Sequence, residues 1–350
     1  MERKKILPVK YPMISSYHTY AALMSVLQNY EEAMPWVHSK YVQIQAWDAS
    51  PPMGHLVREL YWDNGCPFIR NQYIDFCTVV RKWGSINDFL IDFIDQGYYS
   101  FFAIEQHGIP TFNVPPGKVW SHQVFVYGYD LSEEVFYIAD YISWRKYDYY
   151  TIKFSEMTIG FNNIDEIWYN HQFERNGIHL LKFIDVAKFD FSAAQLKKVL
   201  TDYYNGENNV LAPFTYTQGN DANASKHIFG IRFNQALIRY IEHIWHSGHT
   251  FIDFREFAVL VDHKRMMVAR IKFLSENGYL KNPEKHILAY EEIFNKSQLL
   301  ITLISKFNMP RGKPQILESI INNLTDIDDR ERVALPCLIG DIFDKDVPSD

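Results

Sequence analysis

The sequence predicts an α+β protein in two parts, a mixed helix-and-strand domain over residues 1–187 and an all-α domain over residues 188–350. Three observations carry this. Strand-like apolar runs recur between Tyr98 and Phe154, the one from His122 alternating with period two. From about Phe189 the apolar spacing changes to three and four residues, the helical period. No self-similar segment of about 20–50 residues recurs, which argues against a repeat array.

Taken in order, Thr19–Glu32 carries a helical stripe (Ala22, Leu23, Val26, Leu27, Tyr30) that Pro35 ends. Gly84–Gly97 is the clearest helix, with Ser85 as N-cap, Asp88 three residues on, and Ile86, Phe89, Leu90, Phe93 and Ile94 on one face. Tyr98–Glu105 reads as a strand, and a proline-broken loop (Pro110, Pro115, Pro116) follows it. Tyr147–Phe154 reads as another strand before a helix start at Ser155-Glu156. In the second part, a polar stretch from Asn205 to Lys226 interrupts the helices. Beyond it, His227–His246 and Ile252–Asn277 read as long amphipathic helices, with others near 288–306 and 314–324. Within Ile252–Asn277, the charges Asp262, His263, Lys264, Arg265 and Arg270 read as a solvated face or as an interface.

Composition narrows the function. Of 350 residues, 47% are hydrophobic and 16% aromatic, enough for packed cores. A formal charge of −7 argues against a nucleic-acid partner, which needs a concentrated basic surface. Glu2-Arg3-Lys4-Lys5 is not followed by the apolar run of a secretory signal. Nothing approaches the roughly 18 apolar residues of a membrane span. Cys66, Cys77 and Cys337 are an odd, scattered set, so a reduced, cytoplasmic protein is expected. No phosphate loop, dinucleotide fingerprint, GxSxG or HExxH occurs, so no cofactor is expected. His243, His246 and His249, with Asp253, invite a metal reading. Steps of three residues spread them round a helix, however, and Gly248 breaks it, so no metal is expected either.

The chemistry concentrates in Ser121–Tyr141, SHQVFVYGYDLSEEVFYIADY. The pattern is a β-hairpin: an alternating strand from His122, a polar Ser-Glu-Glu turn, and a return strand over Val135–Ile138. With the turn centred near residue 131, His122 faces residues 140–142, so hairpin folding alone sets the imidazole beside Asp140. That pairing is the base and orienter of a nucleophilic triad.

This hairpin resembles the second half of papain-like cysteine peptidase domains, where a His strand carries H-x-V-x-V-x-G-Y-D and a second strand ends in Asp or Asn. More narrowly, the chain is similar to the butirosin biosynthesis protein H family. The likeness runs through the short first helix, WGSINDFLIDFIDQGYYSFFAIEQHGIP, the hairpin, and FGIRFNQALIRYI and FIDFREFAVLVDHKRMMVARIKFL of the tail. The resemblance implies a papain-like first domain. It also implies a role beside nonribosomal peptide and polyketide assembly lines, namely acyl transfer from a carrier-protein thioester to an amine. His122 matches the catalytic histidine and Asp140 its orienting acid.

The family's nucleophilic cysteine belongs at the start of the first helix, where the helix N-terminus favours a thiolate. Here that position falls near His18, within Ile14-Ser15-Ser16-Tyr17-His18-Thr19, with no cysteine and no upstream glutamine. Three readings stay open. Ser16 (or Ser15) replaces the thiol. Cys66 arrives from the Asp63-Asn64-Gly65-Cys66-Pro67 loop. Or covalent catalysis is lost, and His122–Asp140 persists as a structural pair, a binding group or a direct base. His18 reads either as a helix-start residue or as a second imidazole facing His122, with Tyr17, Tyr20 and Trp120 lining the cleft. The expected function is an accessory protein of natural-product biosynthesis promoting acyl or peptidyl transfer. The alternatives are an inactive scaffold for assembly-line partners and a Ser- or Cys-dependent amidohydrolase. The expected partner is a carrier protein or its bound thioester, and an oligomer is open.

Overall fold

A computed structural model describes residues 3–52, 54–56, 66–114, 120–142, 146–164, 177–207, 227–309 and 314–344. The expectations for Asp63–Gly65, Pro115–Pro116 and most of the polar stretch 205–226 lie outside the described residues. The chain divides into two compact units, Met1–Met34 with Leu60–Phe189, and Pro35–Glu59 with Asp190–Asp350. The sequence placed 35–59 in the first domain. They group with the second because Ile44–Trp47 pairs antiparallel with His227–Phe229.

The first unit is built on antiparallel strands β1 (Lys4–Ile6), β4 (Ile69–Asp75), β5 (Tyr99–Glu105), β6 (Ser121–Asp130), β7 (Val135–Asp140), β8 (Asp148–Lys153) and β9 (Gly177–Phe183). Their order is β4-β9-β5-β6-β7-β8, and β1 pairs with the far end of β6, beyond its last β5 partner. Every residue of β5 is buried. This explains an apolar run (YSFFAIE) without the alternation of a half-exposed strand. Gly128 has a local reason: a Cβ there would meet the Lys5 carbonyl of β1 at 2.7 Å.

Among the described residues, this unit has α-helices α1 (His18–Leu27), α3 (Phe76–Trp83), α4 (Ile86–Asp95) and α5 (Phe154–Asn162). In α1 every residue from Tyr20 to Leu27 is buried, so only its first turn meets solvent. It ends at Leu27, short of the expected Glu32. In α4 the expected cap is present: Ser85 Oγ accepts from the Asn87 N–H at 3.1 Å, and Phe89, Leu90 and Ile94 are wholly buried.

The second unit is not all-α. It holds a three-stranded antiparallel sheet, ordered β10 (His227–Phe229), β2 (Ile44–Trp47), β3 (Gly54–Leu56). Its helices are α2 (Met34–Ser39, in this unit from Pro35), α6 (Ala193–Asn205), α7 (Arg232–Ser247), α8 (Arg255–Glu276), α9 (Pro283–Phe307) and α10 (Gln315–Asp341). Residues 227–229, expected to open a helix, form the strand that pairs with β2, and the helix begins at Arg232. The last helix continues to Asp341 with Pro336 inside it.

Of the charges expected on a face of α8, Asp262, His263, Lys264 and Arg270 are buried and Arg265 is half-buried. Lys264 Nζ and Glu331 Oε2 lie 2.5 Å apart with both side chains 0% exposed. Lys264 also donates to the Tyr203 hydroxyl at 3.1 Å, and His263 Nε2 meets the Val42 carbonyl at 2.8 Å. Arg270 donates to the carbonyls of His38 (2.8 Å) and Lys40 (2.5 Å) at the end of α2. These charges are tolerated inside because each is hydrogen-bonded. Among the described residues, no helix is long and apolar enough to cross a membrane.

Candidate functional site

The site lies in the first unit, where the ends of β5, β6 and β7 meet the start of α1. The hairpin turns between Asp130 and Val135, and a register shift falls between Val126 and Gly128. Carried on, this register sets His122 opposite residue 142, at the far end of the expected 140–142. Continuing from Phe125↔Ala139, Asp140 stands opposite Val124, and His122 is its diagonal neighbour on the same face. The contact still forms: His122 Nδ1 lies 3.0 Å from Asp140 Oδ1, with the two side chains 17% and 1% exposed.

Asp140 is held from three sides. Besides His122, the Tyr141 N–H donates to Oδ1 at 2.6 Å, and Gln106 Nε2 donates to Oδ2 at 2.7 Å. With Nδ1–H directed at the carboxylate, neutral His122 carries its lone pair on Nε2, the arrangement of a general base.

His18, the first residue of α1, packs against His122 with ring centroids 4.1 Å apart. Tyr141 lies edge-on to His18 at 5.6 Å, and the Trp120 ring runs nearly parallel to His122 at 6.1 Å. The first turn of α1 brings backbone N–H groups and the positive end of a helix dipole to this place. Of the expected aromatic lining, Trp120 is beside the base. Tyr20, only 4% exposed, belongs to the core and meets Tyr17 edge-on at 5.5 Å.

The candidate nucleophiles fare differently. Ser16 stands two residues before α1, and the ring packed on His122 is that of His18. Cys66 is not brought to the site. It precedes the end of β4 where Ile69 pairs with Phe183, level with the Tyr99 end of β5, whereas His122 pairs with Ile104 at the other end. At about 3.3 Å per residue, that separates it from His122 by roughly 20 Å along the strands, and by three strands across. Burial also pushes the Cys66 thiol up to about 12, so it stays protonated. All three cysteines are free, and Cys77 and Cys337 are exposed, neither being a core residue.

Sequence reasoning missed Glu105 and Gln106. Glu105, 6% exposed, accepts from the N–H groups of His107 and Trp120, both at 2.8 Å, and from Ser121 Oγ at 2.8 Å. Their signal was in the sequence: two polar residues in succession closing an otherwise apolar strand. In the second unit, α7 ends at Gly248 with φ 70° and the His243 and His249 rings are 6.1 Å apart. Among the described residues, no three His, Cys, Asp or Glu side chains gather as a metal site.

No family model matches the chain, and no curated protein is significantly similar to it.

Proposed function

We propose that this chain is a cytoplasmic, papain-like accessory protein of nonribosomal peptide or polyketide assembly. It takes an acyl or peptidyl group from a carrier-protein thioester and delivers it to an amine. The observation that carries this reading is the His122–Asp140 pair, 3.0 Å apart and open to solvent on the His122 side. The substrate class comes from the resemblance of the hairpin and tail to the butirosin biosynthesis protein H family.

The chemistry suits the residues present. The amine nitrogen attacks the thioester carbonyl carbon, and its proton passes to His122 Nε2. The tetrahedral oxyanion faces the first turn of α1, where N–H groups and the helix dipole favour negative charge. The carbon–sulfur bond then breaks and the sulfur leaves as thiolate, which at a pKa of about 8.5 needs no strong acid. Asp140 holds the imidazole in the correct tautomer and stabilises its protonated form.

The test uses an acyl N-acetylcysteamine thioester with a panel of primary amines. Amide forms with the wild-type protein, and His122→Ala lowers the rate by about 100-fold or more. Undiminished rates in His122→Ala refute the transfer reading. A second reading is a binding scaffold, favoured by His18 occupying the place of the family's nucleophile. In that case a carrier protein binds the wild type and His122→Ala equally, and no amide forms with either.

A further inference from the structure

The two strands that carry His122 and Asp140 depend on a third. Directly opposed strand residues share a face, and Ile104 opposes His122. Gln106, two residues on, therefore points to the same face as His122 and Asp140, whereas Glu105 points to the other, opposite Ser121. The end of β5 thus works on both faces. On one, Glu105 ties down the start of β6 through Trp120, Ser121 and His107. On the other, Gln106 reaches across β6 to Asp140 Oδ2 at 2.7 Å, while its own backbone N–H donates to the Trp120 carbonyl at 2.9 Å.

The distribution of bonds on Asp140 shows what Gln106 does. His122 and the Tyr141 N–H both converge on Oδ1, and the bond given to Oδ2 comes from Gln106. The carboxylate is 1% exposed, so water does not stand in for that donor. Without Gln106, Oδ2 is a buried carboxylate oxygen lacking this partner, and the carboxylate plane can turn about the Cβ–Cγ bond away from the angle at which an oxygen faces His122 Nδ1. The imidazole then loses the fixed acceptor that selects its tautomer.

We propose that Gln106 is a positioning residue which, acting through Asp140, fixes the tautomer and ring orientation of His122, with Glu105 anchoring the strand end that presents it. This deepens the transfer reading and rests on it for its purpose. Its test, however, is made on the resting protein without substrate.

The experiment is long-range proton–nitrogen NMR on protein labelled with ¹⁵N-histidine, above the histidine titration range, with His122 assigned by the loss of its signals in His122→Ala. The wild type should show His122 as a single Nδ1–H tautomer. Gln106→Met, which keeps the length and removes the donor, should shift the two nitrogens toward an averaged or Nε2–H pattern. Gln106→Asn, which withdraws the donor by one carbon, should do the same, and serves if the methionine variant does not fold. Slowed hydrogen exchange of the wild-type Gln106 side-chain amide is the matching result that needs no variant. An unchanged Nδ1–H pattern in a folded Gln106 variant overturns the inference, as does fast exchange of that amide. Absence of transfer activity in the wild type, alongside a shifted tautomer in the Gln106 variants, instead refutes only the transfer reading.

Discussion

Stability should fall with acid through one buried histidine. His38 is 5% exposed, stacks on Phe273 at 4.6 Å, and shares the second unit with Arg270, whose guanidinium is bonded to the His38 carbonyl. Burial first, and the Arg270 charge second, lower its pKa from 6.5 to about 3. The folded state therefore holds the imidazole neutral while the unfolded chain takes up a proton below its ordinary value. Where the unfolded state binds more protons, stability rises with pH. The loss accordingly begins near 6.5 and is complete only near 3. At about pH 5 the unfolded histidine is nearly all protonated, which favours unfolding by roughly 2 kcal/mol relative to about pH 8. His38→Phe keeps a flat ring against Phe273 and removes the titration. Urea unfolding of both proteins across this range should show the wild type losing about 2 kcal/mol more than the variant. His263, buried and lowered in the same direction, is common to both and cancels in the comparison. Equal losses in the two proteins refute the reasoning.

The Lys264–Glu331 pair should behave as a buried ion pair. Lys264→Met alone should destabilise by about 3–5 kcal/mol, because it strands a buried carboxylate, while Lys264→Met with Glu331→Leu should cost far less than the two single changes added. Denaturant midpoints of the four proteins decide this, and additive losses would sink it. Among the thiols, Cys77 and Cys337 should react quickly with a disulfide reagent at neutral pH, and Cys66, half-buried with its pKa pushed up to about 12, much more slowly. Three equally fast thiols would contradict the raised pKa of Cys66.

The sequence made the His122–Asp140 hairpin legible because strand alternation and a polar turn fix which side chains share a face. It left the register open. A shift between Val126 and Gly128 cannot be read from alternation: carried on from Asp130↔Val135 without it, Asp140 would stand opposite Phe125 on the other face, and with it Asp140 stands opposite Val124, on the face of His122. The polar pair Glu105-Gln106 closing a strand was visible, but the partner of Gln106 was not: it acts across β6, and strand order is a tertiary property that no local pattern encodes. The same holds for Pro35–Glu59. The strand Ile44–Trp47 is short, and its partner His227–Phe229 is far along the chain and runs straight into helical spacing. The α8 charges misled because helical amphipathicity assumes that charge faces water, whereas Lys264 and Arg270 find their acceptors inside.

Placing His18 rather than a thiol beside His122 has a kinetic consequence for the proposed transfer. A papain-like site with cysteine holds the acyl group covalently, releases the first product, and then admits the acceptor, which gives ping-pong kinetics and an initial burst. Cys66 does not supply that step, lying roughly 20 Å away along the strands by the pairing of β4, β9, β5 and β6. If His122 instead deprotonates the amine directly, thioester and amine must occupy the site together. Initial rates measured over both concentrations should then give intersecting reciprocal plots. Intact-protein mass spectrometry after mixing with thioester alone should show no acyl adduct. Parallel plots together with an adduct on Ser16 would restore covalent catalysis and refute the direct route. An adduct that His122→Ala does not affect would point to nonspecific acylation of the surface, leaving the kinetic pattern to decide.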